Sequence, residues 1–576
     1  MLLKINPSAR HYFLNIIRKI LRKLVTRELR VLSESICACF ATFTTKKIVI
    51  TDFPIYPNGD VAFYKYPFLT TNGNQYFAQV YGQRFVTDVT VGKHAYMNYT
   101  SEIISGKLCK NHTNISVDSN SVIPISLINK STDARIGELE ITTDTGKLKL
   151  HNLKHNRFHY LPVPNCKNLS LYSDGNYIMG DPLPVKQTVK TKKKLVLTIF
   201  VDGLASEVLK NTPLEELMPN TYQYFDKGTS YYNGFANGSW TLPSVGSIVS
   251  GLYSINHGLY HNFEEKHIGN GYKIIGDYFK DSGYLTTQIC SNHRKNPVYN
   301  YSQGFDRTLY RYSMGCEEIV TKALEQLRAF KDRSQYMWLT LFETHHFMHG
   351  IPDISNQISA ELDLHNYSTD EIKSPFISGD KNRTELYILE LKRVDFYLKL
   401  LFDYVNDNYT DDEVVVSLCS DHGKSFLADE TGLLAHHKVQ VPMLFKSTDV
   451  SLGVCSNIVE NVDFLPSLLD LSGIQYNPDV FDGKSLFSDD YDKKYAVSEV
   501  LYPNDYYYVA VYGDDLKFHI KSNKKLIKIS SLDVYDCSYN LEDLNGNILE
   551  TGTTSQLHSD RTKELFNYIL RRRRHN

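Results

Sequence analysis

Tryptophan is nearly absent from this chain: two residues in 576, against 41 tyrosines and 28 phenylalanines. Aromatic packing therefore falls to side chains of which most carry a hydroxyl, a group that suits glycan or protein surfaces as well as a core. No apolar run approaches the roughly 20 residues needed to cross a bilayer as a helix. Neither sign of charge dominates, since 63 Lys+Arg against 65 Asp+Glu leave a formal net charge of −2. That excludes a protein whose whole surface is a basic footprint for nucleic acid. The nine cysteines (Cys37, Cys39, Cys109, Cys166, Cys290, Cys316, Cys419, Cys455, Cys537) are odd in number and scattered, with no Cys-x-x-Cys pair and no zinc-ribbon spacing. They read as reduced thiols of a cytosolic protein. Sequons such as Asn98-Tyr-Thr and Asn237-Gly-Ser carry no meaning without secretion.

What is present is the composition of a folded chain, 42% hydrophobic and 22% charged, long enough for about three or four domains. The N-terminus does not read as a signal peptide, because charge interrupts its apolar residues. Phe13, Ile16, Ile17, Ile20, Leu21 and Leu24 fall on one helical stripe, with Arg18, Lys19, Arg22 and Lys23 mostly away from it. Such a basic amphipathic helix, together with the arginines at 571–574, suits the surface of an anionic inner leaflet. The alternative is a helix packed on its own domain and a solvated tail.

Residues 46–190 are rich in Val, Ile, Thr, Tyr and Phe and are broken by Asn58-Gly59, Asn72-Gly73, Asp174-Gly175 and Asp181-Pro182. They predict a mostly β accessory domain, which ends in a basic linker at 185–194. At 195–201 the run LVLTIFV, closed by Asp202-Gly203, predicts a buried parallel strand that delivers a carboxylate at its C-terminal end. Beyond it, helical patterns at 317–330 and 385–405 alternate with strand patterns at 336–342 and 414–419. This order predicts an α/β core with a central, mostly parallel sheet flanked by helices over 195–490, and ligands beyond the carboxyl ends of its strands. Residues 491–576 are expected to complete the core as a C-terminal subdomain with a basic tail, and 1–45 to form the helical N-terminus. No internal repeat is visible.

Three polar clusters carry chemistry. Asp202 follows the first core strand. Thr241, in Ser239-Trp-Thr-Leu-Pro-Ser244, opens a helical stretch, where backbone N–H groups and the helix dipole favour anions. Asp421 and His422, in Ser420-Asp-His-Gly423, follow EVVVSLC. Asp and His are ligands for a divalent ion, so the set outlines a metal-activated hydroxyl facing an anionic ester. Thr241 is expected partly exposed at its helix start, its hydroxyl contributing at most a cap to the stability of the fold.

In order and wording these motifs resemble the alkaline phosphatase superfamily, which includes sulfatases, nucleotide phosphodiesterases and phosphoglycerol or phosphoethanolamine transferases. The resemblance rests on Met218-Pro-Asn-Thr221 to Gly228, Thr241 through His257-Gly258, Gly283-Tyr284 to Gly304-Phe-Asp306, the Asp421-His422-Gly423 turn with Val441-Pro442, and Val462-Asp-Phe-Leu-Pro466 with Gly473 and Asp482-Gly483-Lys484. It spans roughly 195–490, and residues 1–190 resemble nothing that can be named. It implies a sulfatase/alkaline-phosphatase-like core with Asp202, Thr241, Asp421 and His422 at metal-ligand positions and Thr241 at the nucleophile position. The chain departs from the usual sulfatase: Thr241-Leu-Pro-Ser-Val245 has neither the Cys or Ser that becomes formylglycine nor the signature Arg, and Val201-Asp202 replaces paired Asp residues. His345 resembles the family's substrate or second-metal histidine. His346 and His349 lie beside it, and His345 and His349 have an i, i+4 spacing able to chelate on a helix. One of His436 and His437 is expected to contribute to the site. His293 and Arg294 are placed to bind the anion, the Arg through its fork. His257 and His261 read as loop or structural residues.

The leading expectation is a metal-dependent phosphate-ester hydrolase or phosphotransferase that works through a phospho-threonine, on a glycan- or lipid-linked phosphodiester, with Mn²⁺, Zn²⁺, Mg²⁺ or Ca²⁺ as cofactor. The alternatives are a sulfatase-type ester hydrolase without formylglycine and a non-catalytic glycan-binding protein of the same fold. The expected partners are the anionic ester and, peripherally, an anionic membrane, with no nucleic acid, in a cytoplasmic protein.

Overall fold

The strand LVLTIFV is continuous in apolar side chains because both of its faces are covered. In the computed structural model, which describes residues 69–71, 73–81, 100–128, 136–155, 157–187, 189–261, 268–269, 271–292, 295, 297–311, 314–346 and 378–572, Leu195–Val201 lies in the middle of a large twisted sheet. It pairs in parallel with Gln335–Leu341 on one side and Val414–Cys419 on the other. Leu285–Cys290 and then Arg307–Tyr310 extend the parallel set. Antiparallel strands follow at both edges: Gln440–Lys446 and Thr229–Phe235 beyond Val414–Cys419, and Thr100–Val117 and Asn74–Tyr81 beyond Arg307–Tyr310.

The period-two geometry of a strand sorts its side chains onto two cores. Leu195, Leu197, Ile199 and Val201 face the helices Cys316–Ala329 and Lys381–Asn408, meeting Ile319, Ala323, Leu391, Val394 and Leu398. Val196 and Phe200 face the opposite layer, where Leu242, Val245 and Ile248 of the helix Thr241–Ser250 pack with Leu465 and Leu468 of Phe464–Ser472. Every residue of Thr241–Ser250 is buried, its polar members included: Ser244 donates to the Gly238 carbonyl at 2.9 Å and Ser250 to the Gly246 carbonyl at 2.6 Å. The helix stops at Gly251, in the left-handed conformation at φ 68°.

The β-rich N-terminal region is joined to this sheet through one long strand. The first part of Thr100–Val117 pairs with Arg307–Tyr310 in the core, while its second part pairs with Cys166–Gly180 of the β layer. The segment at 185–194, expected as a basic linker, is anchored through Lys193. Lys193 is 2% exposed, donates to the Asp412 carbonyl at 3.0 Å and pairs with Asp449 at 3.1 Å. Its charge is used for anchoring, not for solvation. At the other end a five-stranded antiparallel sheet, Ala496–Leu501 to Ile548–Thr553, packs with the helix Asp560–Arg571. Of the terminal arginines, Arg572 departs from a solvated tail: it is 8% exposed, with its guanidinium 4.8 Å from the Tyr253 ring centre.

The expected amphipathic helix at 13–24 and the arginines at 573–574 lie outside the described residues. Among the described residues no helix is long and apolar enough to cross a membrane, and the described cysteines are free thiols.

Candidate active site

Parallel strands end side by side, so the loops after their carboxyl ends form one crevice. Asp202, Asp421 and Asn292 sit there, each just past its strand. Asp202 and Asp421 are on neighbouring strands and both fully buried. Asp202 is fixed from below: its N–H donates to the Leu341 carbonyl at 3.0 Å and its carbonyl accepts from the Thr344 hydroxyl. Gly203, at φ 72°, then turns the chain so that its N–H donates to Asp421 Oδ1 at 2.9 Å. The Tyr387 hydroxyl braces the same turn, donating to the Gly203 carbonyl at 2.9 Å and accepting from the Ala205 N–H at 3.0 Å.

His422 Nδ1 lies 2.8 Å from the Gly423 carbonyl. That contact places the proton on Nδ1 and leaves the Nε2 lone pair facing the crevice. Nε2 is 3.3 Å from Thr241 Oγ1, 3.4 Å from Asp421 Oδ2 and 3.9 Å from Asp202 Oδ1. Thr241 Oγ1 is in turn 3.2 Å from Asp202 Oδ2, which also accepts from the Asn292 amide. Five side chains from four separate stretches of sequence thus converge.

The electrostatics follow from burial. Loss of water pushes the Asp202 carboxyl well above its ordinary range, and the charge of Asp421 adds to the push. Burial lowers His422 and so keeps its imidazole neutral. Burial also lowers Lys424, against the pull of Asp202 and Asp421. Asp202 Oδ1 and Asp421 Oδ2 are buried with no hydrogen-bond partner, an arrangement costly for carboxylates unless a cation meets them. Two open carboxylate oxygens, an imidazole lone pair and a hydroxyl fit a divalent ion.

Thr241 differs from expectation. It is 2% exposed, and Trp240, not Thr241, occupies the cap position of the helix, with no side-chain cap bond. Its hydroxyl points into the crevice because it is the first helical residue, one position past the cap. His345 is exposed, its ring stacked on Phe342 at 4.8 Å. One of its ring nitrogens, a carboxylate oxygen of Asp202 and a ring nitrogen of His422 all lie within 4.8 Å of one another. His346 closes the short helix Glu343–His346, while its side chain, His349, His293 and Arg294 lie outside the described residues. The contacts of His436 and His437 lie elsewhere: the ring of His436 meets Tyr512 at 5.0 Å and Phe235 at 6.3 Å, and His437 Nδ1 is 3.7 Å from Glu430. His257 lies 3.4 Å from Ser247 in its own stretch of sequence, and His261 lies 3.0 Å from the Ile527 carbonyl, 266 residues further along the chain. Sequence reasoning missed Lys424, two residues past His422, and passed over Asn292 for the two residues that follow it. A polar residue just past a buried strand was the available signal for Asn292, and there was none for Lys424.

The Sulfatase family model matches residues 194–474. The match covers just under half of the chain and marks this part of it as sulfatase-like. The putative sulfatase yidJ from Bacteroides fragilis has a similar fold, with TM-score 0.50 and 16% identity over 67% of this chain and 96% of that one. The phosphonate monoester hydrolase SpPMH from Silicibacter pomeroyi matches with TM-score 0.49 and 14% identity over 66% and 95% of the two chains. An alkaline phosphatase superfamily protein from Vibrio parahaemolyticus gives 0.45 and 16% over 66% and 86%. No curated protein matches by sequence. The sulfatase-like domain makes the chain a hydrolase, and enzymes of that family are metal-dependent.

Proposed function

We propose that the enzyme cleaves or transfers a phosphate ester through a covalent phospho-threonine on Thr241. The observation that carries the reading is the position of the Thr241 hydroxyl, 3.2 Å from Asp202 and 3.3 Å from His422, at the place where a usual sulfatase has an oxidisable Cys or Ser. Threonine cannot become formylglycine, so its own oxygen is the nucleophile. A divalent ion bound by Asp202, Asp421 and His422 would lower the pKa of the hydroxyl and offset charge on the ester oxygens.

The chain's own groups do the rest. Asp202 Oδ2 is positioned to accept the Thr241 proton, and the Asn292 amide holds that carboxylate in place. The Thr241 oxygen bonds to phosphorus as the ester P–O bond breaks, and the leaving alkoxide takes a proton from solvent. Water or an acceptor alcohol then attacks phosphorus and releases its own proton to solvent as the Thr241 oxygen leaves, and Thr241 recovers its proton from Asp202. His345, on the exposed rim, is the side chain available to meet the substrate. A glycan- or lipid-linked phosphodiester is the substrate class proposed.

The Sulfatase match favours a second reading, hydrolysis of a sulfate ester by the same threonine. One experiment separates the two: phosphodiester, phosphomonoester and sulfate ester substrates are assayed with Mn²⁺, Zn²⁺ and Mg²⁺, and the quenched enzyme is examined by mass spectrometry. Phosphate on Thr241 with turnover of a phosphate ester supports the first reading. Turnover of sulfate esters alone overturns it.

A further inference from the structure

Lys424 is a charged side chain in the crevice that the proposed chemistry leaves without a role. It is 8% exposed, and its Nζ lies 3.9 Å from Asp202 Oδ1, the oxygen of that carboxylate with no hydrogen-bond partner. The approach depends on the backbone beside it. Gly203 lies directly under the lysine stem, and a β-carbon there would collide with Lys424 Cε and Nζ. A glycine at φ 72° therefore serves twice: it makes the turn after Asp202, and it leaves the channel along which the lysine reaches the carboxylate.

We infer that Lys424 is an internal counter-ion: it holds the Asp202–Asp421 pair together in the metal-free protein and weakens divalent-ion binding at the oxygen it faces. The inference rests on reading Asp202 as a metal ligand. Two buried carboxylates at the ends of neighbouring strands repel, and without a cation beside them the turn that joins them is destabilised. The ammonium relieves that repulsion. Once a divalent ion occupies Asp202 Oδ1, the same ammonium becomes a like charge at close range in a medium that screens poorly. Lys424 is thus a positioning residue acting through Asp202, and it makes the metal exchangeable at the cost of affinity.

The test uses the full chain stripped of metal, titrated with Mn²⁺ alone by calorimetry and melted with and without Mn²⁺. Lys424→Met is expected to tighten the Mn²⁺ Kd by about tenfold or more, to lower the metal-free melting temperature and to enlarge the stabilisation by Mn²⁺. Lys424→Arg, which keeps the charge, is expected to bind Mn²⁺ as the native protein does. A merely structural lysine predicts the opposite sign, weaker binding when it is lost, so equal or weaker Mn²⁺ affinity in Lys424→Met overturns the inference. If that variant folds only with Mn²⁺ present, its release of Mn²⁺ to EDTA is timed instead. Slower release than native supports the inference, and equal or faster release overturns it. Asp202→Asn separates this inference from the site reading. If it leaves Mn²⁺ binding intact, the metal site itself is misread and both fall. If it abolishes binding while Lys424→Met leaves affinity unchanged, only the role of Lys424 falls.

Discussion

Thr241→Val is the perturbation with the widest gap between its effect on chemistry and its effect on folding. The substitution keeps the β-branched shape and removes one hydroxyl. The side chain is 2% exposed, so its hydrogen bonds to Asp202 and His422 are lost without replacement by water. No helix cap is lost, because the hydroxyl caps nothing. Asp202 Oδ2 keeps the Asn292 amide as a donor. The net cost is therefore about 1 kcal/mol, a fall in melting temperature of about 2–4 °C for a domain of this size. Loss of a nucleophile is of another order: turnover should fall by at least about 10⁴-fold, equal to about 5.5 kcal/mol of transition-state stabilisation. Thr241→Ser, which restores a hydroxyl, should return most of that activity. The assay is kcat/KM on the best substrate of the ester panel, with thermal melting on the same preparations. If Thr241→Val keeps more than about a tenth of native turnover, the hydroxyl is not the nucleophile. If it loses activity only because it unfolds, the melting curve will show a loss far beyond 4 °C.

Three further outcomes follow from other parts of the molecule. Lys493 pairs with Glu460 at 2.5 Å and Asp463 at 2.7 Å, both fully buried; Lys493→Met strands their charge and should cost about 3–5 kcal/mol in urea unfolding, so a loss under 1 kcal/mol would contradict the account. Gly203→Ala forces a side chain into the left-handed region and against Lys424, which should cost about 1–2 kcal/mol for the backbone alone, and native stability in that variant would show that the turn relaxes. Burial, with the charge of Lys517, lowers the His436 pKa to about 4, so between its ordinary 6.5 and 4 the unfolded chain binds a proton that the folded chain refuses. Its contribution is fully present above pH 6.5 and is lost as pH falls towards 4, by at most about 3 kcal/mol; His436→Gln should flatten that acid limb in melting temperature against pH, and an unchanged slope would assign the loss to other groups.

Much of the core was legible because its strands carry an unambiguous signal. LVLTIFV and VVVSLC are short, continuous and apolar, and a run of that kind in an alternating α/β order fits few places other than a parallel sheet with both faces covered. The residues just past such strands then point into one crevice, so Asp202, Asp421 and His422 could be nominated before any geometry was known. Thr241 was found by its place in a motif, but its burial was not: the sequence marks a helix start, while the layer formed by Phe464–Ser472 and the loops above the sheet decide whether that start meets solvent.

The sequence by itself determined the strand-end carboxylates, the helix that presents Thr241 and the absence of an oxidisable residue at that position, because each is a local property of type and spacing. Only the tertiary structure decided which polar groups share the crevice. Lys424 and Asn292 act on Asp202 from 222 and 90 residues away in sequence, through the order in which the strands Leu195–Val201, Val414–Cys419 and Leu285–Cys290 assemble. The same folding drew Lys193 and Arg572 out of solvent, and Thr100–Val117 across the boundary between the β layer and the core. A residue's type and its neighbours in the chain fix what chemistry it offers; burial and charge at that site depend on long-range pairing, which no local pattern encodes.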